Sequence, residues 1–397
     1  MLAYYRNTII DLISKLRSLR QNLSNLDLLI DIQNRLTQKI IYIEGRIDKC
    51  KGESTALKKA LSLSRLPKQE AKKLKARRNI LEERVKQYQW LLFVFRTIGD
   101  GIAFLYLDKW DIKPLAFKGS SPSYKEDVGY ISGKSGKNSE RALLLSAIAY
   151  NVPAILTDLT NSIKHGDICL LGEAMPRLIE VKTSQNKNAR VIRQTKELAK
   201  VQSYLDKDEG EHIRGLPYMQ RFDMHAPETT HTQLLNNLFA EALKQGSVLR
   251  EVEAGVYYYV MTPDAEIKLD KFSDKNSILI PFFLNDAKNE GNWISYYPFT
   301  LSIEHPENVY RFLKGDIIIV ILIDFRVIEK FAESKGFTSE FIDRADISVI
   351  FTNTKDPSGQ SFFAISTHFL SRVAFEFTSL EWLLNEAFAK QQLLKET

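Results

Sequence analysis

Asp167, Glu180 and Lys182, within the stretch HGDICLLGEAMPRLIEVKTS (His165 to Ser184), combine residue types and spacing that suit metal-assisted chemistry. Asp167 opens one expected strand, Gly172 to Pro176 forms the turn, and Leu178 to Thr183 forms the returning strand. Side chains alternate along a strand, so Glu180 and Lys182 share a face while Val181 points into the core. Mg²⁺ prefers hard oxygen ligands and is commonly held by one or two carboxylates, waters and substrate phosphate. Asp167 and Glu180 are therefore the expected ligands. Such an ion, or Mn²⁺ in its place, makes its bound water easier to deprotonate and offsets charge building on a phosphate under attack. Lys182 adds a positive charge there, either to orient the attacking water or to stabilise the scissile phosphate.

Gly166-Asp167, the intervening turn, Glu180-x-Lys182 and the helical segment that follows resemble the PD-(D/E)XK nuclease superfamily, with Gly standing where the family's Pro-Asp pair has Pro. The resemblance spans roughly Gly133 to Leu205. The pattern GKSGKNSER is similar to the start of archaeal Holliday-junction resolvases of that superfamily, and it implies Glu140 as a third acidic metal ligand contributed by a helix. RecB-like members carry a Gln on the helix after the motif strand; the resemblance implies Gln194 for that role, with Gln202 as the other match. It implies an α/β nuclease-like core, ordered α-β-β-β-α-β on a mixed sheet. It further implies Mg²⁺- or Mn²⁺-dependent hydrolysis of phosphodiester bonds in DNA, in defence against foreign DNA or in repair. The competing expectation is a catalytically inactive nuclease-like assembly protein joined to a partner. RNA as the substrate is a third.

The elements that must position these residues lie in 397 residues, of which 44% are hydrophobic, enough for two or three ordinary cores. Lys and Arg number 55 against 49 Asp and Glu, and the net charge of +6 neither demands nor excludes a polyanionic partner. Two cysteines, Cys50 and Cys169, fall in segments assigned to different domains and give neither a disulfide framework nor a zinc motif, which fits a reducing cytoplasm. No apolar run approaches a membrane-spanning length, and the N-terminus lacks the pattern of an export signal.

Three domains are expected: a helical coiled-coil arm over 1–98, the nuclease-like domain over 99–210, and an α+β domain over 211–397. Leu12, Leu16, Leu19, Leu23, Leu26 and Ile30 recur at coiled-coil spacing, and Leu36, Ile40, Ile43 and Ile47 resume it in a shifted phase, which predicts a stutter near Asp31 to Arg35. A helical hairpin, or a stalk joining this chain to a second copy or a partner protein, would bury these stripes. Gly52-Glu53-Ser54 predicts a break with Ser54 as a cap, Leu66-Pro67 a helix end, and Gly99-Asp100-Gly101 an exposed turn before an apolar strand or short helix. Lys72, Lys73, Lys75, Arg77 and Arg78 form a basic run that suits non-specific phosphate contact or a solvated helix face. Asp158, Thr160 and Asn161 read as turn caps, and His165 as a solvated loop residue. After Ser247, strands are expected at Val256 to Met261, Ile278 to Leu284, Trp293 to Leu301, Ile317 to Phe325, Ile347 to Thr352 and Phe362 to Thr367, with a final helix from Ser379.

Overall fold

The computed structural model describes residues 1–63, 66–117, 129–134, 136–172, 175–181, 189–265, 278–342, 347–356 and 361–396. Within them the chain divides into two compact units, Met1–Arg221 and Phe222–Thr397.

The first unit begins with α1 (Arg6–Gln21), α2 (Leu26–Leu63) and α3 (Lys68–Tyr106). Ion pairs Asp11 to Arg35 and Lys15 to Asp31 show α1 and α2 running antiparallel. Arg46 to Tyr88 and Glu53 to Arg77 show the same for α2 and α3. The shift in apolar phase is therefore a chain reversal at 22–25 rather than a stutter, with the Asn25 side chain accepting from the Leu28 amide at 3.0 Å. Leu12, Leu16 and Leu19 of α1, and Leu36, Ile40, Ile43 and Ile47 of α2, are fully buried, so the stripes are covered from within this chain.

Two expected breaks are absent. Gly52 lies inside α2, and Gly99-Asp100-Gly101 lies inside α3, which carries the apolar run from Ile102 onward as helix. Gly in a helix interior costs about 1 kcal/mol relative to Ala, which packing can outweigh. Here a Cβ on Gly99 would overlap the carbonyl of Leu159, so its absence lets the neighbouring segment approach. Position 98/99, expected as a domain boundary, consequently falls within one helix.

A short α4 (Lys109–Ile112) leads toward α5 (Lys137–Ala149), followed by β1 (Ala154–Leu156), β2 (Ile168–Leu170), β3 (Arg177–Ile179) and α6 (Ala189–Lys207). The three strands form an antiparallel sheet in the order β1-β2-β3, with Cys169 opposite Leu178 and Ile155. The expected α-β-β-β-α order and the hairpin after Asp167 are present. Among the described residues the sheet is antiparallel rather than mixed. Among the described residues the next strand, β4 (Glu209–Glu211), pairs antiparallel with β5 (Tyr218–Gln220) in a sheet of its own. Leu144, Ala154 and Ile168 form the core between α5 and the sheet, and Val181 packs against it, as strand alternation requires. Cys50 and Cys169 both belong to this unit, and both are free and buried.

The second unit joins helices to antiparallel sheets. It comprises α7 (Thr232–Gln245), β6 (Ser247–Glu253), β7 (Val256–Met261), β8 (Leu279–Phe283), α8 (Leu284–Glu290), α9 (Phe299–Ser302), α10 (Pro306–Lys314), β9 (Ile318–Asp324) and α11 (Phe325–Ser334). There follow β10 (Phe337–Phe341), β11 (Ile347–Asn353), β12 (Phe362–Ser366), α12 (Thr367–Phe375) and α13 (Leu380–Glu396). One sheet has the order β6-β7-β9-β8 and the other β10-β11-β12. The strand expected over Trp293 to Leu301 is instead a turn leading into α9. Its aromatic residues pack rather than pair: Trp293 lies edge-on to Phe299, Phe312 and Phe375, and Tyr296 stacks between His368 and Phe375. Tyr258 and Tyr259 are buried as well. Among the described residues no helix is long and apolar enough to cross a membrane.

Candidate active site

Asp167 is placed by the hairpin it opens. Its amide donates to the Ile179 carbonyl at 2.8 Å, and its carboxylate accepts from the Val181 amide at 2.8 Å, which ties it to the far strand next to Glu180. Gly166, just before it, has φ +71°, and a Cβ there would sit 3.0 Å from the Ile179 carbonyl oxygen. Proline is locked near −65° and cannot adopt that conformation. The departure from Pro-Asp is thus a property of this turn.

Opposite Asp167 stands a residue the sequence reading did not single out. The ammonium of Lys134 bonds to the Asp158 carboxylate and lies 3.9 Å from Asp167. Burial opposes the Lys134 charge, but Asp158 first, then Glu140 and Asp167, hold its pKa above the usual range. Glu140, on the first turn of α5, is buried rather than solvated. Burial raises its pKa, Lys134 works against that rise, and Asp167, Asp158 and Glu180 add to it. Asp167 is also raised, chiefly by burial, with the Val181 hydrogen bond and Lys134 opposing and Asp158 reinforcing. Asp158, Glu140 and Asp167 thereby form one electrostatic neighbourhood with the Lys134 ammonium, and Glu180 joins it through its effect on Glu140. Asp158, expected as a turn cap, spends its carboxylate on Lys134 instead.

The remaining predicted site residues are distributed differently. Lys182 lies outside the described residues, as does the side chain of Gln194, whose backbone belongs to α6. Gln202 binds the motif strand: its amide nitrogen donates to the Pro176 carbonyl at 3.3 Å and its oxygen accepts from the Leu178 amide at 3.4 Å. Of the basic run on α3, Lys72, Lys73, Lys75 and Arg77 are exposed. Arg77 pairs with Glu53 across the hairpin and Arg78 with Glu82 along the helix, so two of the five charges already have acidic neighbours.

The long helices hold the site through four buried polar side chains. Gln33 of α2 donates to the Ala154 carbonyl at 2.9 Å and accepts from the Leu156 amide at 3.1 Å, satisfying the outer edge of β1 as another strand would. Glu44 of α2 accepts from the amides of Ile131 and Ser132 at 3.1 and 2.8 Å, fixing the turn that presents Lys134. Arg96 of α3 donates to the backbone carbonyls of Asp158 and Gly129, and its guanidinium lies 3.5 Å from Glu44. Asp100, read as an exposed turn residue, is buried and accepts from the Asn161 and Ser162 amides at 2.9 and 2.8 Å. His165, read as solvated, is buried with Nε2 2.8 Å from the Phe117 carbonyl. Only the alternation of charge with apolar residues at heptad-like positions could have betrayed Glu44 and Arg96. A Lys in a Gly-flanked turn six residues before Glu140 was the available signal for Lys134.

Asp100 also sets a pH dependence. Burial raises its pKa to about 6 against its backbone and side-chain hydrogen bonds to Ser162 and Asn161. Because the folded form holds its proton more tightly than the unfolded form, the stability linked to Asp100 is complete below pH 4 and is lost as pH rises through 6. The loss amounts to about 3 kcal/mol at full shift. Urea unfolding followed at pH 4 to 7 should show that decline in the wild type and a flatter profile in Asp100→Asn; superimposable slopes would refute the assignment.

Among the described residues no three His, Cys, Asp or Glu side chains are arranged to share one metal ion. The donor chemistry of the cluster is nevertheless that of a hard cation: carboxylate oxygens in excess of positive charge, two of them raised by burial and mutual repulsion. No family model, curated protein or solved structure is significantly similar to this chain.

Proposed function

We propose that this protein is a metal-dependent nuclease with a PD-(D/E)XK-like site, hydrolysing phosphodiester bonds in DNA. The observation that carries the reading is the grouping of Asp158, Glu140 and Asp167 about Lys134, with Glu180 acting on Glu140, an excess of partly buried negative charge that a divalent cation relieves. Asp167 and Glu180 would hold Mg²⁺, with waters and substrate completing the shell, since Mg²⁺ is often bound through only one or two carboxylates. The bound ion supplies an activated water and stabilises developing charge on the phosphate. Glu140 completes the acidic set from α5. Lys134 keeps Asp158 neutralised and presents its charge toward Asp167, and Lys182 contributes the second amine. The helical hairpin fixes the geometry through Glu44, Arg96 and Asp100.

A second reading is favoured by one feature. With Lys134 paired to Asp158 and no three acids converging among the described residues, the same cluster suits a nuclease-derived assembly module whose site no longer takes an ion. Isothermal titration with Mn²⁺ separates the two. The nuclease reading expects stoichiometric uptake in the wild type and none in Glu180→Ala. Absence of uptake by the wild type would decide for the assembly module.

A further inference from the structure

A cleft of about 810 Å³ opens between α2 and α5 and reaches the carboxylate cluster at Glu140 and Asp158. Its charges sort into spent and unspent. Arg35 is engaged by Asp11 at 2.8 Å and Asp31 at 3.2 Å, Lys15 also binds Asp31 at 2.9 Å, and Asp158 is engaged by Lys134. That leaves Lys39 on α2, and Lys137 and Arg141 on α5, with no ion pair among the described residues, facing Glu140 alone. A cleft with three unspent cations attracts a polyanion along its length.

The remaining lining narrows the class. Asn34, Gln38 and Thr37 carry neutral amide and hydroxyl groups, able to meet the polar edges of bases or sugars. A volume of this size suits a ligand of roughly drug-like dimensions, equivalent to a few nucleotides, and lies far below what a duplex would fill. No aromatic side chain lines it among the described residues, so binding would come from phosphates and polar edges rather than stacking.

We propose that this cleft seats a single polynucleotide strand, its phosphates on Lys39, Lys137 and Arg141, and delivers one phosphodiester to the Glu140 and Asp158 end. This deepens the nuclease reading by naming a single strand, rather than intact duplex, as what reaches the site.

Fluorescence anisotropy with a labelled ten-nucleotide oligo-dT, in EDTA, tests the cleft without requiring metal or cleavage. The wild type should bind the single strand at least tenfold more tightly than a blunt duplex of equal length. The triple variant Lys39→Glu, Lys137→Glu, Arg141→Glu should lose at least tenfold in affinity. Its salt dependence should flatten by about 2 in log-log slope, as expected for three lost phosphate contacts on a single strand. The three side chains are exposed or half-exposed, and unchanged circular dichroism and melting would confirm an intact fold; Arg141→Glu alone serves if the triple variant melts early. Unchanged binding by a folded variant, or preference for the duplex, overturns the inference. Loss of binding by the variant alongside a wild type that cleaves nothing upholds the cleft and removes the nuclease reading. Cleavage by the wild type with variant binding unchanged does the reverse.

Discussion

Asp167→Ala is expected to lower Mg²⁺-dependent cleavage of DNA by about 10³-fold or more, equivalent to about 4 kcal/mol of transition-state stabilisation. Glu180 is already assigned to the same ion, and the other acids of the cluster are committed elsewhere. Asp158 is bound to Lys134, and Glu140 approaches from α5 rather than from the hairpin. Asp167 owes its orientation to the Val181 amide, so alanine removes a pre-aimed ligand rather than a mobile one. Lys182→Ala should fall by a similar factor if its amine meets the scissile phosphate. Stability should behave differently. Asp167 has a raised pKa, so its ionised form opposes folding at neutral pH, and deleting it removes that penalty together with one hydrogen bond worth about 1 kcal/mol. Single-turnover assays on plasmid, single-stranded and branched DNA, beside urea melts, would show activity lost and stability within about 1 kcal/mol of the wild type. Equal cleavage by wild type, Asp167→Ala and Lys182→Ala would end the enzyme reading.

Glu44→Ala should produce the opposite pattern, a large loss of stability of about 3 to 5 kcal/mol. Its carboxylate has no solvent exposure and serves three partners: the Ile131 amide, the Ser132 amide and Arg96. Alanine would leave two backbone donors without their acceptor and would remove one acidic neighbour of the buried Arg96 guanidinium. Glu44→Gln should cost less, because it keeps an acceptor for one of the amides. Double substitution with Arg96→Met should recover part of the loss, since removing both charges is milder than stranding one. Chemical denaturation of the wild type, Glu44→Ala, Arg96→Met and their double variant forms a double-mutant cycle; strict additivity would show that the two side chains are not coupled. Because the Ile131 turn presents Lys134, the residual folded Glu44→Ala protein should also bind divalent ions differently from the wild type.

The hairpin around Asp167 was legible because strand alternation and a Gly-Pro-bounded turn are local signals, and Val181 packs as the period of two demands. The helical stripes were legible for the same reason: Leu36, Ile40, Ile43 and Ile47 are buried to the last atom. What failed were the readings of Gly52, Gly99, Asp100 and His165 as breaks or exposed loop residues. Gly52 and Gly99 sit inside helices, and Asp100 and His165 are buried because each answers a backbone group remote in sequence, as do Glu44 and Arg96, which no local pattern marked. Such partners lie 33 to 88 residues away, as with Arg96 to Gly129 and Glu44 to Ser132, and no windowed pattern registers them. The strand expected at Trp293 failed for a related cause. Aromatic residues there satisfy a cluster of rings, which needs no extended backbone.

The Gln33 amide lies along the free margin of β1, answering the Ala154 carbonyl and the Leu156 amide that a strand would otherwise recruit. The first helices thus guard the sheet against self-association. A shortened protein beginning at residue 99, designed to isolate the candidate-site segment, would expose that margin. It would be expected to emerge from expression as aggregated β-rich material, so the helices belong in any attempt to assay the site.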